Sequence, residues 1–271
     1  MNVSDGLYES YELDKYHNQW QSKGIKKGAS MKFVLTLVTL LNLNMALAAN
    51  SKALIVVSGH KPGWYLSEVT HIYYPLKEAG FEVEFASPQG GATAMDESSR
   101  KLDDALNKKF VEDKKLMSEL GATKALKDLK AQDYQVIHFA GGHGAMWDFH
   151  NSEALNKLAA GIYEKGGIVS AVCHGPAALV NVKLSNGEYL VKGKEVSTFT
   201  DSEEAEVKMT KVVPFLLESK LRERGAKIVK AKNWQDQSVT SERLVTGQNP
   251  QSGHSVGKRI VELAKSLNKG K

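Results

Sequence analysis

The sequence predicts an α/β fold, a doubly wound, mostly parallel sheet with helices on both faces. Three observations carry that expectation. Residues 53–57 (Ala-Leu-Ile-Val-Val), 136–140 (Val-Ile-His-Phe-Ala) and 168–172 (Ile-Val-Ser-Ala-Val) are short, mostly apolar runs of the kind found in strands covered on both faces. Two of the runs break at glycine-rich turns and the third runs straight into Cys173-His174-Gly175-Pro176. Helix-periodic segments alternate with them, as right-handed β-α-β crossovers require. The 271 residues are 42% hydrophobic and 25% charged, enough apolar material for a real core, which excludes a disordered or collagen-like chain. The 36 Lys and Arg against 31 Asp and Glu leave a net charge of +5, but the basic residues are interspersed with acidic ones, so a nucleic-acid partner has no support. A single cysteine, Cys173, excludes an intramolecular disulfide and leaves a thiol to be judged by its surroundings.

The first 48 residues are expected to lie outside the fold. From Met31 the chain reads MKFVLTLVTLLNLNMALAAN, a basic start, a short apolar core and a small-x-small exit, the pattern of a secretory signal cleaved after Ala48. The apolar stretch is too short to span a bilayer comfortably. Residues 1–30 form a polar leader ahead of that signal, and Met31 is expected to be the true initiator. Residues 49–271 then make one domain, secreted or periplasmic, or cytoplasmic where the segment is not cleaved or used.

Within that domain the first strand ends at Ser58-Gly59-His60-Lys61-Pro62-Gly63, and a helix is expected from about Tyr65 to Ala79, stopping at Gly80. Residues 81–86 alternate as a second strand. Residues 101–130 are charge-rich with helical periodicity and predict one or two solvated surface helices. The strand at 136–140 breaks at Gly141-Gly142-His143-Gly144, a helix covers about 152–165, and the strand at 168–172 runs straight into Cys173. Shorter strands are expected at 196–199, 227–229 and 244–245, and helices at 212–224 and 252–267.

Ligands of open parallel sheets gather beyond the carboxyl ends of the strands, and three loops have that address. Ala171-Val172-Cys173-His174-Gly175-Pro176 reads as a strand, a sharp turn carrying a nucleophile, then a helix. A lone cysteine is ordinarily an inert buried thiol. Here the small residues flanking the turn argue for a nucleophile, and a following helix would lower the thiol pKa through its macrodipole. In the second loop, glycines at 141, 142 and 144 let backbone N–H groups approach a substrate, with Gly142 and His174 as oxyanion donors and Gly141 and His143 beside them. The third loop leads to Glu68, on its own merely an exposed helix acid. His138 reads as a core residue, and His71 as either a pocket residue or a packed one. No metal spacing is evident and no organic cofactor is implied.

Several blocks in order, Gly63-Trp-Tyr-Leu-Ser-Glu68, Phe139-Ala-Gly-Gly-His-Gly144, Ala171-Val-Cys-His-Gly-Pro176 and Leu244-Val-Thr-Gly-Gln-Asn-Pro250, together resemble the ThiJ/PfpI superfamily of class I glutamine amidotransferase-like proteins, specifically its heat-shock chaperone and glyoxalase III branch. The resemblance implies a flavodoxin-like sheet, with Cys173 as nucleophile, His174 as its catalytic neighbour, Glu204 rather than Glu203 as the acid orienting the histidine, and Glu68 as the carboxyl on the thiol. It implies a glutathione-independent conversion of 2-oxoaldehydes such as methylglyoxal to 2-hydroxy acids through a cysteine hemithioacetal, related deglycase action, no metal or cofactor, and a homodimer. A holding chaperone with a redox-sensing cysteine and a cysteine peptidase or amidase are the alternatives.

Overall fold

The computed structural model describes residues 51–269. The expected leader and signal, at 1–30 and 31–48, lie outside the described residues. The elements in order are β1 (Lys52–Val56), α1 (Leu66–Glu78), β2 (Glu82–Ser87), α2 (Ala105–Glu112), α3 (Lys114–Leu120), β3 (Lys124–Ala125), β4 (Val136–Phe139), α4 (Ala145–Asp148), α5 (Glu153–Glu164), β5 (Ile168–Val172), β6 (Glu195–Val196), α6 (Asp201–Glu206), α7 (Leu217–Glu223), β7 (Lys227–Ile228), β8 (Ser238–Ser241), β9 (Leu244–Gly247) and α8 (Gly253–Lys269).

Seven strands form one sheet in the order β3-β2-β1-β4-β5-β9-β8, parallel except for β8, which pairs antiparallel with β9. β4 and β5 are buried throughout, which is why they read as unbroken runs rather than alternations. The two faces of the sheet feed separate cores: Leu54 and Val56 of β1 belong to the one that holds Phe139, Phe149 and Leu221, and Ala53 and Ile55 to the one that holds Trp64, Phe110 and Ile260. The chain leaves β1 toward β2 and later returns on its opposite side as β4, so the crevice beyond the ends of β1 and β4 is a topological switch point.

Helix starts are capped by local chemistry. Asp104, Asp113 and Ser152 each accept backbone N–H groups at the starts of α2, α3 and α5, and Thr200 with Glu203 forms a capping box on α6.

Several elements differ from expectation. Residues 101–130 hold two helices but also β3 and a 3-10 turn at Leu126–Asp128. The strands expected at 196–199 and 227–229 shrink to β6 and β7, which pair with each other in a separate two-stranded sheet. The helix expected at 212–224 covers only Leu217–Glu223. β8 was not anticipated, because its Ser-Val-Thr-Ser sequence is an edge strand without apolar alternation. The segment after Cys173 is a short 3-10 turn, Gly175–Leu179, and not an α-helix.

That turn lies directly on β4. A Cβ at Gly175 would sit 2.1 Å from the Phe139 carbonyl oxygen, a backbone atom that cannot swing away. Gly175→Ala is therefore expected to destabilise the fold by about 3 kcal/mol, the upper range for overpacking. Urea denaturation measures it, and a change below about 1 kcal/mol would show that the turn and β4 are less tightly joined.

Candidate active site

Cys173 follows β5 with φ of +60°, a left-handed conformation costly for any residue but glycine. Its backbone is held on both sides: its N–H donates to the Gly247 carbonyl at 3.0 Å, and its carbonyl accepts from Phe199 N–H at 2.9 Å. The strained turn thrusts the side chain out beyond the sheet, where the loops after β1 and β4 arrive.

Glycines make that convergence possible. Gly142 has φ of +96°, and a Cβ there would come within 2.5 Å of the Gly63 carbonyl oxygen. At Gly141 a Cβ would meet Glu68 Oε2 at 2.6 Å and the His174 amide nitrogen at 2.7 Å. The Gly141 N–H donates to Glu68 Oε2 at 2.7 Å, and the N–H groups of Gly142 and His174 both donate toward the Cys173 sulfur.

Glu68 is fully buried on α1, not the exposed helix acid that its local sequence suggests. Its Oε1 makes no hydrogen bond of good geometry, and the titratable group that it interacts with is the Cys173 thiol. Burial pushes the Glu68 carboxyl up to about 8, against smaller opposing contributions from the thiol and the Gly141 N–H. The acid is thus mainly protonated at neutral pH. Burial also pushes the Cys173 thiol well above its ordinary value, helped by Glu68 and opposed by the two N–H donors. This corrects the expectation of a thiolate favoured by a helix N-terminus: with only a 3-10 turn behind it, the sulfur feels little macrodipole.

On the opposite side, Glu204 collects two imidazoles. Its Oε2 lies 2.8 Å from His174 Nε2 and its Oε1 2.9 Å from His143 Nε2. Burial alone would raise this carboxyl, but the hydrogen bonds from the two histidines outweigh it and hold it down to about 2. An ionised carboxylate only accepts, so His174 carries its proton on Nε2 and presents the Nδ1 lone pair. That Nδ1 lies 3.4 Å from the Cys173 sulfur. Burial depresses the His174 pKa, with the Glu204 hydrogen bond opposing it, so the ring is neutral and free to accept a proton. Glu203, the adjacent acid, is otherwise engaged, accepting from Trp234 N–H, Gln248 Nε2 and Asn249 Nδ2.

All the anticipated side chains, Glu68, His143, Cys173, His174 and Glu204, meet here together with Gly141 and Gly142. His138 stands apart, fully buried between Ser170 Oγ and the Glu68 carbonyl, with burial lowering its pKa to about 3. His71 packs against Asp104 and His254 rather than lining the site. Sequence reasoning missed two aromatic residues. Tyr65 precedes α1, and its hydroxyl is pushed up to about 12 by burial and then by the charges of Glu68 and Cys173. Trp234 meets Phe199 edge-on at 5.6 Å, and Phe199 in turn covers the His174 ring at 4.2 Å. Tyr65 lay within the Gly63–Glu68 block, a signal that could have drawn attention to it, whereas Trp234 had none. The whole leaves Cys173 only 3% exposed. A neutral base, a protonated acid and two N–H donors around one sulfur suit addition of the thiol to a small carbonyl compound.

Comparison with known proteins places this geometry among relatives. The model of the DJ-1/PfpI family matches residues 51–263. The glutathione-independent glyoxalase HSP31 of Saccharomyces cerevisiae is 33% identical over 218 residues, covering 77% of this chain and 92% of the relative. The crystal structure of glyoxalase III from Candida albicans superposes with a TM-score of 0.73 at 29% identity, covering 79% of this chain and 98% of that one. Rapid Encystment Protein 24 kDa of Francisella tularensis gives a TM-score of 0.75 at 38% identity, with 79% and 98% coverage.

Proposed function

The chain belongs to the DJ-1/PfpI family, and on that premise we propose that it is a glutathione-independent glyoxalase, converting methylglyoxal-type 2-oxoaldehydes to 2-hydroxy acids, with early glycation adducts as a related substrate class. The observation that carries the reading is the nearly sealed sulfur set between a protonated Glu68 and a neutral His174.

The reaction follows from those groups. His174 Nδ1 takes the thiol proton as sulfur attacks the aldehyde carbon, and Glu204 steadies the imidazolium. The former aldehyde oxygen gains negative charge beside the N–H groups of Gly142 and His174, then takes the proton back to give a hemithioacetal. Ionised Glu68 removes the hydrogen from that carbon while the neighbouring ketone oxygen is protonated, giving an enediol. Glu68 then returns a proton to the second carbon, the first hydroxyl loses its own, and a thioester results. Water breaks the carbon–sulfur bond and restores the thiol. One carbon is oxidised and its neighbour reduced, so the balance is aldehyde plus water to hydroxy acid, with no external oxidant or reductant. A carboxyl pKa of about 8 keeps both forms of Glu68 accessible near neutrality, as a group that removes and returns a proton requires.

Two features weigh against the alternatives. A sulfur 3% exposed suits a three-carbon aldehyde better than a polypeptide backbone, against a peptidase. Among the described residues the exposed large hydrophobics are Leu102, Val207 and Val212, too few and scattered to make a client-binding patch for a holding chaperone. The test is lactate formation from methylglyoxal without glutathione. Steady turnover supports the reading, and its absence from folded protein contradicts it.

Export belongs to the same proposal and is supported by the signal-like sequence at 31–48, just ahead of the family match that starts at residue 51. An N-terminus of the native protein at Ala49 agrees with it, and one at Met1 does not. A homodimer is supported by the family resemblance alone.

A further inference from the structure

Outside the Cys173 pocket, three residues far apart in sequence meet at the junction of α1, α8 and the start of α2. His71 lies on α1 one turn beyond Glu68, His254 lies in the first turn of α8, and Asp104 is the N-cap of α2. Each offers a donor atom, and the donors lie within 4.8 Å of one another. We propose that His71, Asp104 and His254 form a binding site for a divalent transition-metal ion, with zinc the ion that its two imidazoles and one carboxylate suit best.

The arrangement is a built one. Asp104 divides its oxygens: Oδ1 accepts from Leu106 N–H at 2.8 Å and Asn107 N–H at 3.0 Å, fixing the carboxylate, while Oδ2 faces His71 Nε2 at 2.8 Å. A ligand oxygen anchored through its partner oxygen is the support that metal sites use to orient their donors. The two imidazoles stack with centroids 3.6 Å apart and planes 16° from parallel, so the exposed His254 ring has to turn out of the stack for both lone pairs to meet one ion. His71 is 6% exposed; its Nε2 meets Asp104, and its Nδ1 is left without a hydrogen-bond partner.

The backbone of α8 closes one side of the cluster. A Cβ at Gly253 would come within 2.9 Å of His71 Nδ1, and one at Gly257 within 2.3 Å of the His71 carbonyl oxygen, so α8 lies against α1 as closely as two helices can. His254 is exposed and gives an ion access from solvent. A bound ion would tie the helix that carries Glu68 to the C-terminal helix and to the start of α2, and three protein donors would leave one tetrahedral position for water.

Among the described residues the competing donors are His143, His174 and Glu204 in the catalytic pocket. The test therefore uses four proteins, wild type, His254→Ala, Asp104→Asn and Glu204→Gln, titrated with Co2+ by visible absorption and with Zn2+ by calorimetry. Asp104→Asn keeps an oxygen to cap α2 and loses the anionic donor, and His254 is exposed, so both variants are expected to fold. The proposal expects one equivalent bound by wild type and by Glu204→Gln, and affinity at least about tenfold lower in the other two. It also expects Zn2+ to raise the melting temperature of wild type but not of His254→Ala. No binding by wild type, unchanged binding by His254→Ala, or loss of binding in Glu204→Gln alone would each overturn it.

Discussion

Cys173→Ala is expected to abolish methylglyoxal turnover, lowering kcat/KM on the order of 10⁴-fold or more. No other thiol exists in the chain to replace it. The N–H groups of Gly142 and His174 would remain, but with no sulfur to form the hemithioacetal they have no oxyanion to hold. The fold should survive, because the site loses one atom and the Gly247 and Phe199 backbone bonds persist. Lactate formation and a thermal melt on the same sample separate the two effects. Turnover within about tenfold of wild type would remove the cysteine from the chemistry.

Glu68→Gln is expected to lower kcat/KM by about 10²- to 10⁴-fold, the usual contribution of a positioned acid–base group. The amide can still accept the Gly141 N–H, so the loop should stay in place. Stability should move in the opposite direction. The Glu68 carboxyl lies at about 8 in the folded protein against an ordinary 4.5. Between those values the folded state keeps a proton that the unfolded chain has released, so wild-type stability falls as pH rises from about 4.5 to about 8. The loss over that window is on the order of several kcal/mol. The variant has no such proton, so its stability relative to wild type should increase from pH 5 to pH 8.5 in urea denaturation. A difference that stays flat with pH would show that Glu68 ionises normally. In the wild type, kcat/KM should rise with pH toward about 8 as the carboxylate forms, a rise lost in the variant.

What could be read from the sequence was local. β1, β4 and β5 announced themselves because burial on both faces makes a strand uniformly apolar, and the glycines at 141 and 142 because only they tolerate the approach of Glu68, His174 and Gly63. What could not be read depended on distant partners. Nothing around Glu68 says that α1 is buried on the side where it meets the thiol, so neither its protonation nor the raised thiol pKa followed from the motif. Glu203 and Glu204 are adjacent acids on one short helix. The fold sends one to Gln248 and Asn249 and the other to the two histidines. His71, Asp104 and His254 showed no metal spacing because α1, α2 and α8 meet only in the folded chain. β8 was hidden because a polar edge strand has no signature of its own.

The claim at the centre is that the Cys173 sulfur bonds to the aldehyde carbon and that Glu68 then moves the hydrogen. Peptide-mapping mass spectrometry of Glu68→Gln, quenched in the presence of methylglyoxal, tests both halves together. The account predicts a stalled adduct of one methylglyoxal on the peptide carrying Cys173, absent from the double variant with Cys173→Ala. No adduct on Cys173, or an equal adduct on lysines and arginines in both proteins with none at the thiol, would contradict it.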